Sequence, residues 1–112
     1  MVVQEKILQY PLKMTGEIIE AYNEHESIWL STEAIAKLYE TPLHIVLRHI
    51  KMIYAIDSMS EFLTMQRKRM VKKGREQLIS YYNLQMIVAI GTQLQATEMP
   101  RFYKWAVQQL ND

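Results

Sequence analysis

Apolar residues recur along this chain with two different periods. Around residues 17–30, Ile18-Ile19-Glu20-Ala21-Tyr22 and Ser27-Ile28-Trp29-Leu30 flank the polar stretch Asn23-Glu24-His25-Glu26, which predicts an N-terminal β-hairpin. From there the period lengthens to that of a helix. Ser31 or Thr32 supplies an N-cap oxygen, and Ile35, Leu38 and Tyr39 fall on one face of a short helix. Thr41-Pro42 then reads as a cap followed by proline at the first helical position, predicting a second helix over residues 42–54 with Val46, Ile50 and Ile53 as its buried stripe. Residues 58–64 fit either a helical turn or a strand entry. Over residues 65–81, Gly74 sits at the most polar point between two segments of partial strand character, predicting a second hairpin with a basic tip. Asn83 caps a helix with Leu84, Ile87, Val88, Ile90 and Leu94 apolar, and a last helix begins near Pro100 and packs Phe102, Trp105, Ala106 and Leu110.

The expected fold is therefore α+β but mainly helical: a helix-turn-helix with a β-hairpin wing, two C-terminal helices and an N-terminal hairpin. With 112 residues, 49% of them hydrophobic and 22% charged, residues 1–112 make a single folded domain. The absence of cysteine excludes disulfides, thiolate metal sites and a thiol nucleophile, so stability must come from a packed core. Charge at Glu5 and Lys6 interrupts the N-terminus before any exporting apolar stretch, and no run reaches membrane-spanning length, which points to the cytoplasm and away from a membrane.

The formal net charge of +1 conceals a strong asymmetry. Between His44 and Arg75, eight Lys/Arg face only Asp57 and Glu61, a net of +6, while the remainder of the chain carries −5. Such a chain can present a basic face to a polyanion and stay near neutral as a whole. On the predicted second helix, His44, Leu47, Arg48 and Lys51 are spaced three and four apart and emerge together opposite the apolar stripe. These are the groups expected to meet a DNA major groove. Lys68, Lys72, Lys73 and Arg75 on the basic hairpin are expected to neutralise phosphates. The plain alternative is a solvated basic edge that discourages strand aggregation.

Material for catalysis is thin. His25, His44 and His49 share no metal-ligand spacing, His44 and His49 point to different helical faces, and neither a phosphate loop nor a nucleophile elbow is present. No enzyme activity, metal or cofactor is expected. His49 is expected to be a hydrogen-bonded packing residue and Trp105 a core anchor. Seven tyrosines, Tyr10, Tyr22, Tyr39, Tyr54, Tyr81, Tyr82 and Tyr103, are more than a chain of this size is expected to bury, and with eight methionines they also suit a module that binds a host or element-encoded protein. A homodimer, through residues 1–15 or the last helix, suits either function.

Several segments in order resemble the RhuM family of virulence-associated proteins. They are Ile28-Trp-Leu-Ser-Thr-Glu-Ala-Ile-Ala-Lys-Leu-Tyr39, His49-Ile50 with Ile53-Tyr54, Gly74 in the hairpin, Tyr82-Asn-Leu-Gln-Met-Ile-Val-Ala-Ile-Gly91, and Phe102 with Trp105-Ala106. The resemblance spans residues 17–110. It implies a winged-helix-like DNA-binding domain of phages and bacterial mobile elements, acting as a transcriptional regulator on double-stranded DNA. The chain departs from the family where Pro42-Leu43-His44-Ile45 replaces a Ser-Arg start to the second helix, where Met52 replaces an asparagine, and where residues 98–103 lose two cationic positions. Lys72-Lys73-Gly74-Arg75 in turn is more basic than the family's hairpin tip.

Overall fold

The computed structural model describes residues 6–112. The alternation at residues 17–30 does produce a hairpin, β2 (Ile18–Glu24) and β3 (Ser27–Ser31), closed at Glu24↔Ser27. Its two turn residues, His25 and Glu26, both take positive φ (51° and 59°), the primed turn that matches strand twist. β3 runs directly into α1 (Thr32–Leu38), and of the two cap residues weighed from sequence it is Ser31 whose side chain accepts from the Ala34 N–H. After a connection at residues 39–42, with Glu40 in the left-handed region at φ 50°, α2 covers Leu43–Ile56. Here the expected cap is corrected. Pro42 itself is the N-cap, and no side chain caps the helix, because proline in extended conformation places Thr41 one residue too early.

The undecided segment before the second hairpin forms a single helical turn, α3 (Glu61–Thr64), capped by Ser60. Then come β4 (Met65–Lys72) and β5 (Arg75–Asn83), joined through Lys73 and Gly74, both at positive φ. Asn83 caps α4 (Leu84–Leu94), as predicted, and α5 is Met99–Asn111 with proline in its first turn.

The expectation of a mainly helical fold is overturned, although the fold is α+β. Helices hold 46% and strands 33% of the described residues, and the strands form a five-stranded antiparallel sheet in the order β1-β2-β3-β5-β4. Two features account for the difference. The first is β1 (Lys6–Pro11), an edge strand within residues 1–15, one of the two surfaces expected to serve a dimer; residues 1–5 lie outside the described residues. Exposed Ile7 hides its alternation and Pro11 ends it, so no strand signal stands out. The second is the pairing Trp29↔Asn83, Leu30↔Tyr82 and Ser31↔Tyr81, which joins the two hairpins through residues far apart in sequence.

Each face of the sheet buries a different set of side chains. Tyr10, Ile19, Ala21, Ile28, Leu30 and Tyr82 share one core with Ile35, Leu38, Val46, Ile50, Ile53, Met86, Ile87, Ile90, Phe102 and Ala106 from the helices. Tyr22, Trp29 and Tyr81 form a small aromatic cluster on the other face. The seven tyrosines are not all buried, as expected: Tyr103 is exposed and Tyr54 half-buried. Tyr10, Tyr22, Tyr39, Tyr81 and Tyr82 are buried, and Tyr10 and Tyr39 show how a buried phenol is accommodated. The Tyr39 hydroxyl donates to the Ile87 carbonyl at 2.7 Å, and that of Tyr10 donates to Glu98 Oε1 while accepting from Arg101. His49 is the hydrogen-bonded packing residue expected, 2.6 Å from Gln93 Oε1, and Trp105 packs edge-on against Tyr10.

Candidate nucleic-acid interface

α2 turns Val46, Ile50 and Ile53 into the core, which leaves His44, Leu47, Arg48 and Lys51 exposed on the opposite side. The stripe exists, but it is more apolar than the spacing suggests: Leu43, Met52 and Ile56 are also exposed beside it. Its first turn holds no acidic residue and its first N–H groups have no side-chain cap.

The basic hairpin has two regions. At Met65↔Tyr82 and Gln66↔Tyr81, β5 is also paired to β3; from Arg67↔Ser80 to Lys72↔Arg75 only β4 and β5 remain, so the outer part is a two-stranded ribbon. Strand alternation divides its cations between two sides. Arg67 and Arg69 share a side with Met65 and Tyr82, the side of the helical core. Lys68, Lys72 and Arg75 share the opposite side with Tyr81, and Lys73 lies in the turn. Sequence reasoning missed Arg67 and Arg69, although the period of two that separates them from Lys68 was available.

Lys68 must be taken out of the predicted phosphate-contacting set. Its ammonium is 2.6 Å from Glu24 Oε2 and stands 4.5 Å from the centre of the Tyr22 ring, with only 14% of the side chain exposed. Burial pulls its pKa below the ordinary lysine value. An ammonium held this way is a structural anchor between β4 and the β2 end. By contrast, Lys72 reaches Glu33 only at 4.0 Å and Arg69 reaches Glu76 at 3.4 Å, both as exposed pairs worth about 0–1 kcal/mol. Such pairs yield readily to a phosphate. Arg67, Arg69, Lys72, Lys73 and Arg75 are all exposed, and Glu76 is the carboxylate on the same ribbon.

Two concave regions lie elsewhere. One, of about 240 Å³, is lined by Leu12, Leu38, Glu98 and Arg101 among others; the Glu98 carboxylate there is bound by Arg101 at 2.6 Å and by the Tyr10 hydroxyl, whose pKa burial and Glu98 push up to about 12. The second, of about 210 Å³, is lined by Tyr22 and Tyr81 with Glu33, Lys37 and Lys72 at its rim. Neither places a nucleophile against a free base. Among the described residues no group of His, Asp and Glu side chains converges as a metal site, and no helix is long and apolar enough to cross a membrane. Comparison of the chain with known proteins finds no matching family model, no matching curated protein and no matching solved structure.

Proposed function

We propose that this chain is a cytoplasmic DNA-binding module, a transcriptional regulator in which α1 and α2 act as a helix-turn-helix and the β4–β5 ribbon as a basic wing. The observation that carries this reading is the ribbon: a two-stranded arm whose exposed side chains include Arg67, Arg69, Lys72, Lys73 and Arg75 against a single ribbon carboxylate, Glu76. No core requires cations there. Paired with a helix that exposes His44, Arg48 and Lys51, the arm supplies phosphate contacts while the helix supplies groups able to read base edges. The resemblance to the RhuM family leads to the same expectation.

The test is fluorescence anisotropy with a labelled mixed-sequence duplex at two salt concentrations. If the ribbon engages about four phosphates, log K falls with log salt at a slope of about −3.6. Replacing Lys72, Lys73 and Arg75 with Glu abolishes most of that slope, whereas Arg48→Ala reduces discrimination between sequences. Unchanged affinity in both variants refutes the reading. A second reading, a module that binds a host or element-encoded protein or a second copy of itself, draws support from exposed Leu43 and Leu47 on α2. Capture of one defined protein, with no duplex binding at low salt, would establish it instead.

A further inference from the structure

We propose that Phe62 and Leu63 form an apolar wedge that enters a base step of duplex DNA gripped by the neighbouring ribbon; this rests on the DNA-binding reading above. Phe62 is 90% exposed and Leu63, its neighbour on α3, 66% exposed. A lone exposed apolar residue is ordinary, but a phenyl and an isobutyl group held side by side in water are not explained by folding.

Hydrogen bonds to Ser60, Leu63 and Thr64 hold the turn that carries them. Ser60 Oγ accepts from the Leu63 N–H, and the buried Thr64 donates its hydroxyl to the Ser60 carbonyl at 2.7 Å. The Tyr54 hydroxyl lies 2.7 Å from that of Thr64, linking the turn to α2, and Asn83 Nδ2 donates to the Leu63 carbonyl at 3.4 Å, linking it to the start of α4. α3 is therefore a rigid mount with its apolar side chains turned outward. A flexible loop would be free to fold them back.

Charge selects the occupant. Phe62 lines one open depression together with Met65, Gln66, Arg67 and Glu61. Arg67 begins the run of exposed cations along the ribbon, so the aromatic ring stands at the end of that run, beside the path of a strand gripped by its phosphates. An apolar wedge beside Arg67, where the ribbon's exposed cations begin, matches a base step flanked by phosphates, where inserted Phe or Leu side chains unstack and kink the duplex.

The experiment uses a relaxed closed-circular plasmid with a topoisomerase present, because unstacking untwists DNA wherever it occurs. Wild-type protein shifts the topoisomer distribution. The Phe62→Ala/Leu63→Ser variant, whose altered side chains support no core, binds a linear duplex within about tenfold of wild type but leaves the distribution in place. In a second variant, Phe62→Trp, insertion between bases lowers the emission of the introduced indole at least about twofold on saturation with duplex. A wild type that binds but leaves linking number unchanged, with the Phe62→Trp variant binding at unchanged emission, overturns the wedge and leaves the DNA-binding reading standing. No duplex binding by wild type at low salt overturns both. A dimer by sedimentation that the double variant converts to monomer overturns the wedge in favour of self-association.

Discussion

Gly91→Ala sets two effects of opposite sign against each other. Gly91 lies inside α4, where replacing glycine by alanine ordinarily stabilises a helix by about 1 kcal/mol. At this position, a Cβ would stand 2.6 Å from the Tyr39 hydroxyl, 2.6 Å from Met99 Cγ and 2.8 Å from Met99 Cβ. Met99 Cγ can swing away, but Met99 Cβ is fixed to the backbone of α5, so the α4–α5 contact must open. Overpacking of this kind costs about 1–3 kcal/mol. The Tyr39 hydroxyl is also buried and donates to the Ile87 carbonyl; displacing it without a new partner adds about 1–3 kcal/mol. Net destabilisation of about 2–3 kcal/mol follows, a fall in Tm of roughly 10 °C for a domain of this size. Urea unfolding followed by tryptophan emission measures it, with Tyr39→Phe and the double variant completing a cycle. Removal of the hydroxyl relieves one of the two contacts, so the double variant should be more stable than the sum of the singles by about 1 kcal/mol. A Gly91→Ala protein as stable as wild type, or a strictly additive cycle, would refute the close approach.

Lys68→Ala should lower stability by about 2 kcal/mol, because it leaves a Glu24 carboxylate that is only 19% exposed with His25 and Gln66 alone beside it and also removes the stem over Tyr22, while Lys68→Met, which keeps the stem, should lose less. Neither should change the salt slope of duplex binding; a slope smaller by about 0.9 in Lys68→Ala would restore this lysine to the phosphate contacts. Alkaline pH should unfold the protein through its phenols. Burial raises the pKa of Tyr39, Tyr54, Tyr81 and Tyr82, and burial with Glu98 raises Tyr10 to about 12. The stabilisation from keeping these groups neutral is complete below about pH 10, where unfolded tyrosine ionises, and is lost as pH climbs through the folded values. Urea midpoints measured between about pH 9 and 11, with tyrosinate absorbance alongside, should fall together with ionisation, and midpoints flat across that range would contradict the burial of these rings.

Local periodicity reveals those parts of this fold whose partners are near in sequence. Val46, Ile50 and Ile53 mark the inner side of α2, and Asn83 and Ser31 act as caps, because helix faces and caps depend on residues three or four apart. The pairing of β3 with β5 depends on Leu30 meeting Tyr82, fifty-two positions away, and nothing in either segment announces the other. β1 fails for a different reason. Its buried side, Leu8 and Tyr10, does alternate, but apolar Ile7 on the exposed side hides that alternation in the sequence, and its strand character comes from docking on β2. The basic region was legible as a composition, whereas the role of each cation was not. Lys68 and Arg69 are neighbours in sequence with the same charge, yet the pleat sends one into an aromatic cluster and the other into water.

That division of the cations has a mechanical consequence for the proposed interface. A two-stranded ribbon is at best marginally stable alone, since neither face has a layer to pack against. Here the inner half of one face is held: Lys68 is clamped to Glu24 over the Tyr22 ring, and Met70 and Ile79 pack on the Tyr22, Trp29 and Tyr81 cluster. The ribbon is thereby given a direction relative to the sheet, and Arg67, Arg69 and the tip cations are carried on an arm already ordered before any ligand arrives. Ordering long side chains on a loose loop would consume about 0.5–1.5 kcal/mol for each one immobilised, on top of the backbone cost. An anchored arm avoids the backbone part of that cost. Lys68 therefore serves the interface best by staying out of it: moving its charge to the surface would add one phosphate contact and release the arm on which all the others depend.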